Sequence, residues 1–115
     1  MSECLFCKIV AGDLDAAKVY EDEAYLAFED IHPQAPVHYL VIPKAHTERL
    51  DALFDEGGAE ALGKLTAAAL KTARANGLDD YRLGVNVGAA AGQVVFHTHL
   101  HLLGGWTKEK PGKMA

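Results

Sequence analysis

Apolar residues change their spacing several times along this chain, and each change predicts an element. Cys4–Val10 (Cys-Leu-Phe-Cys-Lys-Ile-Val) has the spacing of a short helical turn that ends near Gly12. Lys18–Tyr20 and Ala24–Glu29 are β-prone runs on either side of Glu21-Asp22-Glu23 and predict a hairpin. Asp30 to Pro36 is a loop, because its two prolines lack N–H donors and favour extended or turn geometry. His38–Pro43 (His-Tyr-Leu-Val-Ile-Pro) is dense in β-formers and predicts a strand buried on both faces. From Thr47 to Phe54 the period becomes helical, with Thr47 as the cap, until Gly57-Gly58 breaks it. Ala59–Asn76 is the long helix: Leu62, Leu65, Ala69, Leu70 and Ala73 form an apolar stripe, and Asn76-Gly77 is a stop. Tyr81–Val87 is the next strand. Gly88–Gly92 is a small-residue loop where a ligand can approach the backbone. Val94–Leu103 alternates as a last strand, closed by Gly104-Gly105, and 106–115 is a short, basic, mobile tail.

Roughly five strands around one long helix, without repeat or linker, point to a single α+β domain over 1–115 with an antiparallel sheet. A chain of 115 residues that is 50% hydrophobic and 23% charged is globular and long enough for a core. The net charge of -5 excludes a surface built to grip a nucleic acid polymer, which needs a basic stripe. It leaves room for a single nucleotide, whose phosphate is held by neutral donors and backbone N–H groups. No apolar run reaches the length of a membrane span, and Met1-Ser2-Glu3-Cys4 lacks the regions of a secretory signal, so no membrane partner and a cytoplasmic location are expected.

Three of the six histidines stand at alternate positions in the last strand. On an extended strand His97, His99 and His101 share one face, and Phe96, Thr98, Leu100 and Leu102 the other. Each imidazole has two nitrogens that need partners, so three in register are costly as mere packing. A three-histidine metal site is disfavoured, because at ~3.3 Å per residue the rings spread over about 13 Å. The competing chemistry is nucleophilic: the middle imidazole attacks while its neighbours orient it and bind negative oxygens. Cys4 and Cys7 form a C-x-x-C. A reducing compartment disfavours a disulfide, and no strand precedes the pair as a thioredoxin-like site requires. Half of a zinc site is the sharper reading; two small residues in an amphipathic turn is the plainer one.

His97-Thr98-His99-Leu100-His101-Leu102-Leu103 resembles the signature of the histidine triad (HIT) superfamily, His-φ-His-φ-His-φ-φ with φ apolar. Asp30 to His46, Leu83 to Gly88, Gly92-Gln93 and Leu103-Gly104-Gly105 resemble its histidine triad nucleotide-binding branch, so the likeness covers nearly the whole chain. The resemblance implies a HIT-like fold, a homodimer, and hydrolysis of purine nucleoside phosphoramidates or related nucleotide conjugates. His99 would attack the α-phosphorus and form a nucleotidyl-histidine, from which water releases the nucleoside monophosphate. By the same resemblance His101 contacts the phosphate and His38 reaches the site from the preceding strand. Asn86 and Gln93 hold phosphoryl oxygens, Asp30 accepts from the ribose hydroxyls, and Ile31 lies at the base-pocket wall. Taken singly, Asp30 would be turn chemistry, Asn86 a strand end and His38 a satisfied core histidine. The family's N-terminal Cys-x-x-Cys implies a structural zinc on Cys4, Cys7, His46 and His97, with no organic cofactor. His97 would then be structural and serve only to orient the strand.

Three positions depart from the pattern. His32 replaces a small polar residue and is expected to be an inessential loop histidine. Thr98 stands where the family is usually apolar, facing away from the triad. Val94 stands where the branch commonly carries a serine near the leaving group, and a valine donates no proton. Two further readings of the same nucleophile follow: a dinucleoside polyphosphate hydrolase with a better leaving group, and a nucleotide-binding scaffold with weak activity. A redox or metal-carrying module built on Cys4 and Cys7 is the remaining alternative.

Overall fold

The structure, a computed structural model, describes residues 3–113. Its first helix, α1 (Leu5–Ala11), starts where the Cys4 thiol accepts from Cys7 N–H and ends where Gly12, at φ 84°, turns its N–H back to Ile9 O. The hairpin follows as β1 (Lys18–Glu21) and β2 (Tyr25–Glu29). Asp22 builds its turn: one carboxylate oxygen accepts from Ala24 N–H at 2.9 Å and Tyr25 N–H at 2.8 Å, the other from the Tyr20 hydroxyl. Next come β3 (Val37–Pro43), α2 (Leu50–Ala75), β4 (Tyr81–Gly84), a 3₁₀ turn at Ala89–Ala91, and β5 (Leu100–Gly104). All strand pairings are antiparallel in the order β1-β2-β3-β5-β4, so the α+β architecture with one long helix is as expected.

Both faces of β3 are covered, which explains its unbroken apolar run. Val41 joins Ala27, Leu100 and Leu102 under Leu65, Ala68, Ala69 and Ala73 of α2. Leu40 and Ile42 face the other way, onto Leu26, Phe28 and the α1 residues Phe6 and Ile9. The α1 side is where the histidines gather.

The break expected at Gly57-Gly58 is present: Gly58 leaves the helical region, at φ 66° and ψ -162°, and divides α2 into two helices across a kink. Three other expectations change. The residue at the helix start is Arg49, without a side-chain cap bond, because the Thr47 side chain is buried against Thr98 and unavailable. The fourth strand stops at Gly84 rather than Val87, and the last begins at Leu100 rather than Val94. The sheet ladder ends where Gly84 pairs with His101 on one side and Val41 with Leu100 on the other; before that, the histidine segment bonds to the 43–47 loop, Thr98 N–H to Thr47 O at 2.8 Å and the His97 ring to Pro43 O. His97 and His99 therefore precede the strand, and only His101 lies in it. The tail, expected to be mobile, folds back through residue 113. The Arg82 guanidinium lies 5.0 Å over the Trp106 ring and also donates to Lys113 O, and Thr107 and Lys110 close a turn. Among the described residues no helix is long and apolar enough to cross a membrane.

Candidate active site and metal centre

Pairing of β3 with β5 sets His38 opposite Leu103 and Leu40 opposite His101, so His38 and His101 are diagonal neighbours on the α1 face. His99 follows from the preceding extended segment, with its ring centroid 5.1 Å from that of His101. The Phe6 ring meets His99 edge-on at 5.2 Å and His97 at 5.9 Å, so α1 walls in both. His38, His97 and His99 are buried, and every buried side-chain polar atom among the described residues has a partner.

Those partners decide which nitrogen of each ring carries its proton. Gln34 N–H donates to His38 Nδ1 at 2.9 Å, so His38 is protonated at Nε2. That N–H lies 2.9 Å from His101 Nδ1 and 3.5 Å from Asp30 Oδ2. His101 thus accepts at Nδ1 and carries its own proton on Nε2. His99 Nδ1 is 2.7 Å from His97 O and must be the donor, which leaves a lone pair on Nε2. His97 Nε2 is 2.7 Å from Pro43 O and must also donate, which leaves its lone pair on Nδ1. Two neighbouring histidines of the triad are held as opposite tautomers by main-chain carbonyls.

Charge follows the same lines. Burial holds the pKa of His38, His97 and His99 below the imidazole value of 6.5, against the pull of Asp30 on His38 and His99. His101 is pushed down to about 4, first by burial and then by the neighbouring rings of His99 and His38. All four rings are neutral at pH 7, the form in which imidazole is a nucleophile and a metal ligand.

The lone pair of His97 Nδ1 faces a second cluster. It is 3.4 Å from Cys4 Sγ, 3.5 Å from Cys7 Sγ and 3.1 Å from His46 Nδ1, and Cys7 Sγ is 3.3 Å from His46 Nδ1. The four donor atoms lie within 4.8 Å of one another. Tetrahedral zinc with Zn–N near 2.0 Å and Zn–S near 2.3 Å puts its ligand atoms about 3.3–3.8 Å apart, so two thiols and two imidazoles here fit that ion. Burial raises the Cys4 pKa, and a bound cation would be needed to make it a thiolate. Asp30, His38 and His101 also bring donor atoms close together. There the Gln34 N–H occupies His38 Nδ1, so His38 Nε2 carries a proton and has no lone pair for a metal.

The remaining sequence-predicted residues divide. Asp30 takes up the turn chemistry weighed for it, Oδ1 accepting from His32 N–H at 2.8 Å, and its Oδ2 faces His38. His32 lends backbone groups alone, its carbonyl accepting from the Gln34 side chain. Ile31 stands 85% exposed and Val94 87% exposed. Asn86 donates to Ala91 O at 2.7 Å across the small-residue loop. Gln93 is buried and its amide is spent internally: Oε1 accepts from Gly88 N–H, and Nε2 donates to Glu48 O at 2.7 Å and Val95 O at 3.1 Å. It braces the loop against the α2 approach and the histidine segment. The sequence reading missed Phe6, Gln34 and Thr47. Of these only Thr47 left a signal, the departure at Thr98, because Gln34 acts through its main chain.

Comparison with known proteins agrees with this fold. The HIT domain model matches residues 11–108. An uncharacterized HIT-like protein of Synechocystis is 48% identical over 104 residues, covering 90% of each chain, and the protein HitA of Neisseria gonorrhoeae is 42% identical over 105 residues, covering 90% of this chain and 97% of its own. Among solved structures, a HIT family hydrolase from Clostridium thermocellum superposes with a TM-score of 0.85 at 42% identity over 99% of both chains. A HIT family hydrolase from Legionella pneumophila does so with a TM-score of 0.82 at 48% identity, over 91% of this chain and 95% of its own.

Proposed function

The chain belongs to the HIT domain family, and on that premise we propose that it is a hydrolase of nucleotide conjugates, acting on purine nucleoside phosphoramidates through His99. The observation that carries the reading is the tautomer of His99: Nδ1 donates to His97 O, so a buried, neutral ring presents Nε2 as a nucleophile. Nε2 attacks the α-phosphorus, the phosphorus–nitrogen bond breaks, and the amine leaves with a proton drawn from solvent. Water then attacks the nucleotidyl-His99 and releases the nucleoside monophosphate. His101 Nε2–H, set by the Gln34–His38–His101 chain, donates to a phosphoryl oxygen as negative charge develops there. Asp30 accepts from the ribose, and Ile31 borders the base.

Cys4, Cys7, His46 and His97 hold a structural zinc in this reading. When bound, the ion ties α1 to the loop after β3 and to the histidine segment, and His97 is then a ligand and not a reactant. The protein works as a homodimer with a nucleotide substrate, as the resemblance implies.

The test follows nucleoside monophosphate release from a panel of adenosine and guanosine phosphoramidates and dinucleoside polyphosphates. His99→Ala is expected to abolish release while nucleoside monophosphate still binds; unchanged turnover in that variant refutes the mechanism. Val94 favours a second reading, a nucleotide-binding protein with weak turnover, since an 87% exposed valine offers the leaving group no hydroxyl. Wild-type protein that binds nucleotide but releases no monophosphate from any substrate supports that reading.

A further inference from the structure

The peptide between His97 and Thr98 serves two partners at once. In a trans peptide the carbonyl and the N–H point in opposite directions from one rigid plane. Here the carbonyl end, His97 O, accepts from His99 Nδ1 at 2.7 Å. The N–H end, on Thr98, donates to Thr47 O at 2.8 Å. The Thr98 hydroxyl donates to the same Thr47 carbonyl at 3.1 Å, so it must accept from the Thr47 hydroxyl, 2.6 Å away. Thr47 is 6% and Thr98 1% exposed, and neither hydroxyl has water to turn to. Two residues that look like unremarkable loop and strand threonines thus form a closed, buried lock on the plane that aims the imidazole.

We propose that Thr47 and Thr98 are positioning residues for His99: they clamp the 97–98 peptide and so hold His99 in the tautomer that leaves Nε2 bare. The inference rests on the function proposed above for its catalytic consequence, but its structural half stands apart from any substrate. Thr98→Val removes the centre of the lock and leaves the Thr47 hydroxyl buried without a partner. Thr98→Ser keeps the hydroxyl. Thr47→Val/Thr98→Val removes both hydroxyls while keeping shape, which returns stability without returning the lock.

The experiment uses the full chain, purified with its metal, and reads three quantities: the imidazole tautomer of His99 by nitrogen-15 NMR where the ring is neutral, kcat and KM on an adenosine phosphoramidate, and unfolding by urea. In wild type, His99 is expected as the single Nδ1–H tautomer. In Thr98→Val the tautomers mix and kcat falls about tenfold, with KM within about twofold. Thr98→Ser restores both. The double valine variant recovers its urea midpoint but neither the tautomer nor kcat. A folded Thr98→Val protein with the wild-type tautomer overturns the proposal, as does a double variant in which tautomer and kcat return together with stability. If wild type releases no monophosphate, the proposed function fails while the tautomer comparison still decides the role of the clamp.

Discussion

His101 makes folding of this protein sensitive to mild acid in a way that one substitution should remove. Its ring is packed against His38 on β3 and His99 on the approach to β5, and Asp30 from the loop after β2 is the anion that acts on it. Burial and the two neighbouring rings lower its pKa from 6.5 to about 4. Between those values the unfolded chain binds the proton and the folded chain does not, so unfolding becomes easier as pH falls. The contribution is whole above pH 6.5, shrinks through the interval and is gone near 4, where both forms are protonated. An interval of ~2.5 pH units at 1.36 kcal/mol each amounts to about 3 kcal/mol, against the ~5–15 kcal/mol that hold a domain folded. His101→Gln removes the titration while its amide oxygen can still accept from His38 Nε2–H. Urea unfolding at intervals between pH 7 and 4 should show the wild-type free energy approaching that of the variant by about 3 kcal/mol. Wild-type and variant curves that run parallel would refute the reasoning, since the two differ in no other titratable group.

Two other outcomes follow from the same geometry. Cys7→Ser removes one donor of the four-atom cluster, and metal analysis should find zinc lost from its roughly one-to-one ratio, with a melting temperature lower by several degrees; stoichiometric zinc retained by the variant would count against the site. Gln93→Ala strips three bonds from backbone groups, of which the Gly88 N–H bond is buried and those to Glu48 O and Val95 O are partly buried, and the orphaned Gly88 N–H should cost about 1–3 kcal/mol in urea unfolding. A loss of nucleotide affinity with full stability would instead return Gln93 to direct contact with the phosphate.

The elements were legible wherever a local pattern had a local cause. The hairpin turn was readable because Asp22 supplies its own caps, and β3 because a sheet covered on both faces demands a continuous apolar run. Errors fall where a distant partner claimed a group. Thr47 has the composition of a helix cap, but its hydroxyl is taken by Thr98, 51 residues later. The alternation at 97, 99 and 101 reads as one strand throughout, yet extended backbone carries that alternation whether or not it joins a ladder. Here the first half bonds to the 43–47 loop and only the second half to β3 and β4.

The gathering of the imidazoles and the C-x-x-C was legible because such residues are expensive unless used, but the division of labour among the histidines was not written in residue types. His97 and His99 are the same side chain two residues apart. A main-chain carbonyl meets Nε2 of one ring and Nδ1 of the other. That single difference sends the first lone pair toward Cys4, Cys7 and His46, and leaves the second on the nitrogen assigned to attack phosphorus. The groups responsible are Pro43 O and His97 O, with Gln34 N–H doing the same for His38 and, through it, His101. Backbone carbonyls and amides are identical at every position of a sequence. They acquire an assignment only when the chain path brings them to a ring, so the proton inventory that separates metal ligand from nucleophile is a property of the fold.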